Sequence, residues 1–301
     1  MKTSHSNDLK SLLSLLRPYL QQDGLIALPV NGVYGSVFSS SIEKEKRQWH
    51  ACFAVVLQGS KHIWLEHNAY ELNAGQFTFT PIVLPVLSQI LVNNPKQPFV
   101  ALLIEYQPAL LGDLANQIHT EATTSSVPFS SALFQGRAQE NVWQTLIRLC
   151  QTFDDPLKAK VLGPLIIKEL FFYLLTGDNG QAMWQFIRSN TKVHKITHII
   201  HKIQSELSQE IDIEQLCQLA NMSRSSFFEH FKNITAMSPI QYQKRLRLLE
   251  ARKLLIERQE TVESACYKVG YNSPSQFSRE YSRMFGDTPA RDTAKIKQRA
   301  I

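Results

Sequence analysis

The sequence predicts an α+β chain. A β-rich N-terminal half, closing into a small barrel with flanking helices, precedes an all-α C-terminal domain with two helix-turn-helix units. Three observations predict this. Short apolar and alternating runs crowd residues 24–106, punctuated by Gly59, Asn68, Gly75, Pro81, Pro95 and Pro98, as in a barrel or sandwich. Helical spacing of apolar residues takes over after Pro108. One pattern then occurs twice in the last third of the chain, about fifty residues apart.

Taken in order, Leu9, Leu12, Leu13, Leu16 and Leu20 fall on one face of a helix over 7–21. Cys52–Leu57 and Phe99–Tyr106 are apolar runs. Lys61–His67 alternates, with Ile63 and Leu65 opposite His62, Trp64 and Glu66, and Gln76–Thr80 alternates with Phe77 and Phe79 on one side. Helices are predicted over Ala109–Ile118, Asn141–Thr152 and Leu157–Thr176, the last stopped by Gly177-Asp-Asn-Gly180. Met183 to about Thr191 reads as a packed connection. Val193, Ile196, Ile200, Ile203 and Leu207 mark the next helix.

The repeat is the sharpest signal. Ile213 to Ala220, a turn at Asn221-Met-Ser223, and Arg224 to Phe231 correspond to Val262 to Val269, Gly270 to Ser273, and Pro274 to Tyr281. Ile213/Val262 and Cys217/Cys266 match at an offset of 49; Ser223/Ser273, Phe227/Phe277, Phe231/Tyr281 and Pro239/Pro289 match at 50. The second turn therefore holds one extra residue. Capping chemistry agrees: Asp212 with Gln215 fits a capping box, Ser223 can cap, and Ser238, Ser273 and Thr288 each precede a proline. One long helix, Pro239–Glu257, joins the repeats and carries Lys244, Arg245, Arg247, Arg252 and Lys253. Phe227 and Phe231, like Phe277 and Tyr281, are four apart and should pack inward. Cys217 and Cys266 suit the small apolar position where two helices approach closely.

Charge follows the repeat. Residues 192–301 hold 18 Lys and Arg against 12 Asp and Glu, whereas 1–191 hold 14 of each. The chain's net charge of +6 thus lies wholly in the repeat-bearing part, which suits a polyanion. No apolar run reaches the ~18 residues of a membrane span, and no secretory signal is evident. The four cysteines (Cys52, Cys150, Cys217, Cys266) fit no zinc spacing and read as reduced thiols of a cytoplasmic protein.

Val269-Gly-Tyr-Asn-Ser-Pro-Ser-Gln-Phe-Ser-Arg-Glu-Tyr-Ser-Arg-Met-Phe-Gly286, followed by Thr288-Pro289, resembles the AraC/XylS family of bacterial transcription regulators, over roughly 195–292. The first repeat departs from that pattern: Asn221 and Ala236 stand where glycines are common. Val55-Val-Leu-Gln-Gly-Ser-Lys61, Tyr70-Glu-Leu-Asn-Ala-Gly75 and Leu84-Pro85-Val86 resemble the cupin-like sensor domain that precedes some AraC-type DNA-binding domains, over about 20–180. The resemblance implies two domains: 1–185, cupin-like, for sensing and dimerisation, and 192–301, AraC-type, for DNA binding. It implies promoter DNA, a small organic effector, a second copy of the chain and RNA polymerase as partners, with no cofactor and no catalytic residue.

Helix geometry then assigns candidates. Ser225, Ser226, Phe228 and Glu229 face out from the first recognition helix, and Ser275, Gln276, Ser278 and Arg279 from the second. Arg279 can reach guanine O6/N7, Gln276 adenine, and Glu229 a cytosine amino group, though Glu229 also reads as an ordinary surface carboxylate. Ser223, Arg224, Lys232, Ser273 and Arg283 suit phosphates.

In the N-terminal half Phe38, Trp49, Phe53, Val55, Trp64, Phe77 and Phe79 are candidates to line an apolar effector pocket, or simply to fill the barrel. Lys61 is the only basic residue from Cys52 to Thr80, which favours an uncharged or weakly polar ligand over a phosphorylated one. No His-x-His pair, phosphate loop or nucleophile elbow is present, so no metal ligand is assigned. Two other readings stand beside this one: a cupin-type metalloenzyme fused to a DNA-binding domain, and a ligand-independent regulator whose barrel is only a dimerisation platform.

Overall fold

The computed structural model of the chain describes residues 4–106, 108–118, 131–178, 180–187 and 191–299. They form an α+β chain of two compact units that part at His194–Lys195.

In the first unit, α1 spans Ser4–Leu16 and buries Leu12 and Leu16. It stops short of the predicted residue 21 because Pro18 cannot continue a helix. Nine strands follow: β1 Gly24–Ala27, β2 Val33–Phe38, β3 Ile42–Trp49, β4 Cys52–Gln58, β5 Ser60–Leu65, β6 Asn68–Asn73, β7 Gln76–Thr80, β8 Leu84–Leu91 and β9 Phe99–Glu105. Then come α2 Pro108–Gln117, β10 Phe134–Arg137, α3 Glu140–Cys150, α4 Pro156–Thr176 and α5 Gly180–Ile187. Asp155 caps α4 by accepting from the Leu157 and Lys158 amides, with Pro156 at its first position.

Two further elements differ from expectation. β10 is a four-residue strand whose order comes from antiparallel pairing with the distant β7. The stretch expected to be a connection contains a helix, α5, because Met183 and Phe186 are buried and Phe186 lies edge-on against Phe134 of β10.

The strands form a six-stranded sheet, β1-β2-β9-β4-β7-β10, and a four-stranded sheet, β3-β8-β5-β6. Directly paired residues project to the same side of a sheet. Across the larger sheet one row is Gly35, Leu102, Val55 and Phe77, and the next is Val33, Ile104, Phe53, Phe79 and Phe134. These rows meet helices. Phe79 lies 6.1 Å from Phe171 of α4, ring centre to ring centre. Leu20, in the segment after α1, crosses Gly35 so closely that a Cβ there would lie 2.3 Å from it.

The opposite face carries the row Tyr34, Leu103, Ala54, Thr78 and Gln135, flanked by Ser36, Ala101 and Val56 and by Glu105, Cys52 and Thr80. In the smaller sheet Ile63, Leu65, Leu72, Ser88 and Ile90 form a buried face. Gln135, in the Ala54–Thr78 row of the larger sheet, donates its side-chain amide to the Glu71 carbonyl of β6 at 2.6 Å, so the smaller sheet lies against that side of the larger one.

The second unit is all helix: α6 Lys192–Ser205, which begins at the boundary, then α7 Ile213–Ala220, α8 Arg224–Thr235, α9 Pro239–Glu257, α10 Val262–Lys268, α11 Pro274–Phe285 and α12 Pro289–Arg299. The spacing of Val193, Ile196, Ile200 and Ile203 is explained by their burial. Asp212, Ser223, Ser238 and Ser273 all cap their helices; Asp212 does so through the Glu214 and Gln215 amides without the return bond expected of a capping box with Gln215, and it is Ser238 with Gln241 that completes one. The second repeat closes on a core of Leu248, Ala251, Leu254, Leu255, Ala265, Cys266, Val269, Tyr271, Phe277 and Tyr281.

Candidate nucleic-acid interface

Each repeat folds as a helix, a turn and a second helix: α7 with α8, and α10 with α11. The second helix of each pair begins on a serine. Ser223 Oγ accepts from the Ser226 amide and Ser273 Oγ from the Gln276 amide. The inward aromatics Phe227, Phe231, Phe277 and Tyr281 are fully buried. Phe231 packs edge-on against Tyr242 of α9, and the Tyr281 hydroxyl donates to Asp292 of α12 at 2.8 Å. Cys217 and Cys266 are buried and unpaired where the helices meet.

With the aromatics turned inward, the opposite faces are largely open to solvent. Ser225 and Glu229 are exposed on α8, as are Ser275, Gln276 and Arg279 on α11; Ser226, Phe228 and Ser278 are half-buried. Phe228 is held edge-on to Phe227 and beneath the Arg224 guanidinium. Arg224 also donates to Glu214 at 3.0 Å. Lys232 and Arg283 are exposed.

The second recognition helix has a support that the first repeat does not reproduce, since His230 stands where Glu280 would fall. Glu280 accepts from the Tyr271 hydroxyl at 2.7 Å and from the side-chain amide of Gln276 at 3.4 Å, and pairs with Lys244 of α9 at 2.7 Å. Burial alone would raise this carboxyl, but the Lys244, Tyr271 and Gln276 donors together hold it below the usual carboxylate range. Arg252 of α9 pairs with Asp292 at 2.8 Å.

Sequence reasoning registered the α9 cations only as basic residues, yet three of them are structural. Lys244 and Arg252 hold α11 and α12, and Arg247 donates to backbone carbonyls. The available signal was Gln243, a polar residue beside the apolar stripe of Tyr242, Leu246 and Leu249, with Arg247 one helical turn further on.

In the first unit the seven pocket candidates divide by face. Phe53, Val55, Phe77 and Phe79 lie on the helix-covered side of the larger sheet and are core. Phe77 borders a small cavity of about 70 Å³ that Val142, Tyr173 and Leu174 also line. Trp64 is out of phase with buried Ile63 and Leu65, half-buried beneath the Lys44 ammonium. Phe38 and Trp49 are also half-buried; Phe38 shares a face with Tyr34 and Ser36, and Trp49 lies beneath Lys61.

The side facing the smaller sheet is the looser one. Tyr34, Ala54 and Leu103, in interior strands, are only half-buried there. In the same row Thr78 is 1% exposed, and its Oγ1 has no hydrogen-bond partner. Tyr34 and Glu105 interact at this edge, the carboxylate charge pushing the phenol upward first, then burial. Among the described residues no group of three or more His, Cys, Asp or Glu is placed to hold a metal ion, and no helix is long and apolar enough to cross a membrane.

The comparisons agree with this division. Residues 29–182 match the family model described as the AraC-type transcriptional regulator N-terminus, and residues 216–294 match a helix-turn-helix domain. The chain is 30% identical over 102 residues to a probable transcriptional regulator, LumQ, of Photobacterium leiognathi, covering 33% of this chain and 41% of that protein. It is 28% identical over 146 residues to the lactose operon transcription activator of Staphylococcus xylosus, covering 48% and 51%. The chain thus spans about half the length, or less, of these relatives. The crystal structure of unsaturated fatty acid bound wild-type ToxT from Vibrio cholerae superposes with a TM-score of 0.57 at 12% identity, over 87% of this chain and 93% of that one. At that identity the likeness is one of fold. Because the N-terminal model alone spans just over half of its 301 residues, the chain belongs to the AraC-type transcriptional regulators.

Proposed function

We propose that the chain is a non-catalytic, cytoplasmic DNA-binding regulator that inserts α8 and α11 into successive major-groove segments of promoter DNA and acts there on RNA polymerase. The observation that carries this reading is the pair of serine-capped helices, each anchored by buried aromatics and each presenting a polar outer face, in the part of the chain that holds the net positive charge. Ser225, Ser226, Phe228 and Glu229 on α8, with Ser275, Gln276, Ser278 and Arg279 on α11, meet base edges. Ser223, Arg224, Lys232, Ser273 and Arg283 meet phosphates. Burial pushes the Cys52 thiol up to about 11 and Cys150 up to about 12, so neither is a nucleophile at neutral pH.

The effector site falls between the sheets, not on the Phe53–Phe79 face. Tyr34, Ala54 and Leu103 leave open surface there, and an unpartnered buried hydroxyl such as Thr78 costs about 1–3 kcal/mol unless something meets it. An apolar body with few polar groups fits this lining, and the fold neighbour ToxT has been crystallised with an unsaturated fatty acid. Dimerisation falls on α4, where Leu157, Val161, Leu165 and Phe172 are 69%, 53%, 61% and 40% exposed along one face.

Binding of the full chain to mixed-sequence duplex DNA, followed by fluorescence anisotropy, tests the function. Affinity should fall steeply with salt as Lys and Arg displace counterions; affinity indifferent to salt would refute the reading. Leu165→Glu should convert a sedimenting dimer to monomer without unfolding it, and an unchanged sedimentation coefficient would remove α4 from the interface.

A further inference from the structure

Arg247 is half-buried on α9, the helix that joins the two helix-turn-helix units. Its Nε donates to the Leu207 carbonyl at 2.7 Å, one terminal nitrogen to the Gln209 carbonyl at 2.7 Å, and the other to the Gly270 carbonyl at 2.9 Å. Leu207 and Gln209 lie in the segment that enters the first helix-turn-helix unit; Gly270 lies in the turn of the second. One planar guanidinium therefore bonds three carbonyls on two pieces of chain that are 23 to 40 residues from it in sequence. Gln243, one turn earlier on α9, donates to the same two carbonyls, Leu207 at 3.2 Å and Gln209 at 2.6 Å. The segments it joins are in contact: a Cβ on Gly270 would lie 2.1 Å from the Ser208 carbonyl oxygen, and Gly270 has φ +88°.

We infer that Arg247 is a positioning residue that locks the two recognition helices in one relative orientation and so fixes the spacing of the two DNA segments that a single chain reads. A helix alone joins the units through one rod. Each unit also has its own core, so torsion about the rod is opposed chiefly where the turn of the second unit meets the entry of the first. Five side-chain bonds from Arg247 and Gln243 close that contact. Only a fork with donors in one plane can reach all three carbonyls; an ammonium at the same place reaches one or two. The consequence for DNA rests on the reading of α8 and α11 as DNA contacts. The structural claim does not.

The test labels Ser225→Cys and Ser275→Cys in the full chain with nitroxides, the four native thiols being buried, and reads their separation by pulsed double resonance without DNA. The unaltered node should give one narrow distribution. Arg247→Ala should broaden it about twofold or more, because three charge-assisted bonds are gone. Arg247→Lys, which keeps stem and charge, should broaden it less and decides the matter if the alanine variant does not fold. Unchanged widths in the folded variants would overturn the inference.

A second arm uses duplexes selected from a random pool with the unlabelled wild-type chain, then remade with one or two base pairs inserted between the protected segments. The wild type should lose affinity about tenfold or more on insertion, since a site off by one base pair no longer presents both grooves to a fixed pair of helices. Arg247→Ala should tolerate the insertion. Equal discrimination in both would overturn the inference. Broadened distances in a chain that binds no duplex would support the positioning role and refute the DNA reading.

Discussion

Ala236 and Gly286 close the two recognition helices at equivalent positions, fifty residues apart, and both sit in the left-handed region, at φ +62° and +82°. The left-handed conformation costs an L-residue roughly 1–2 kcal/mol and glycine nothing. Nothing lies within 4 Å of a Cβ built on Gly286, so the difference between the repeats is conformational.

Ala236→Gly should therefore stabilise the second unit by about 0.5–1 kcal/mol, the relief of strain exceeding the entropy that glycine adds to the unfolded chain. Gly286→Ala should destabilise it by a similar amount. Urea unfolding of the two variants checks both signs. A loss of stability in Ala236→Gly would contradict the strain.

A second expectation concerns acid. Glu280 is held below its ordinary value of 4.5 by Lys244, Tyr271 and Gln276 against the opposing pull of burial. The stability it supplies is present above pH 4.5 and is lost as pH falls through the lowered value. Glu280→Gln should cost about 1 kcal/mol at neutral pH and flatten the decline of stability below pH 4.5. An unchanged acid limb in the variant would remove Glu280 as its source.

Readout separates two arginines on one helix. Arg279→Ala should cost roughly 1–3 kcal/mol on the selected site and relax preference at one position, whereas Arg283→Ala should weaken all sequences alike. Selection on randomised duplexes with each variant distinguishes them, and the reverse pattern would mean the helix presents a different face.

The effector site gives a fourth test. On the proposed reading an added unsaturated fatty acid should raise the melting temperature in a concentration-dependent way by mass action, and Ala54→Trp, filling the space between the sheets, should abolish that rise. Trp64→Ala, on the opposite face of its strand, should leave that rise intact. If Trp64→Ala abolishes it and Ala54→Trp does not, the site lies elsewhere.

Much of this was legible in the sequence because the rules involved are local. Serine three residues before an amide it caps, aromatics four apart and a proline after the cap depend on neighbours in the chain, so α8, α9 and α11 could be placed from residues alone. Alternation gives the two faces of Lys61–Leu65 correctly, whereas Glu66 and His67, expected to continue it, form the turn into β6.

What could not be read was long-range. Alternation separates Phe77 from Thr78 but does not say which side meets helices, so the sequence leaves Phe77 and Phe79 equally consistent with lining a pocket and with filling the core. β10 owes its order to β7, more than fifty residues earlier. α5 was hidden by short length, and its burial depends on Phe134. Arg247 resembled any other base on a cationic helix; only the fold brings Leu207, Gln209 and Gly270 to it.

The central claim is that one chain places two helices in DNA, and a hydroxyl-radical and methylation footprint of the full chain on a selected duplex tests it most directly. Two protected major-groove segments per chain, about 10 base pairs or roughly 34 Å apart on one side of the duplex, are expected. Arg279→Ala should remove protection from one segment only. A single protected segment per chain, unaffected by Arg279→Ala, would contradict the account.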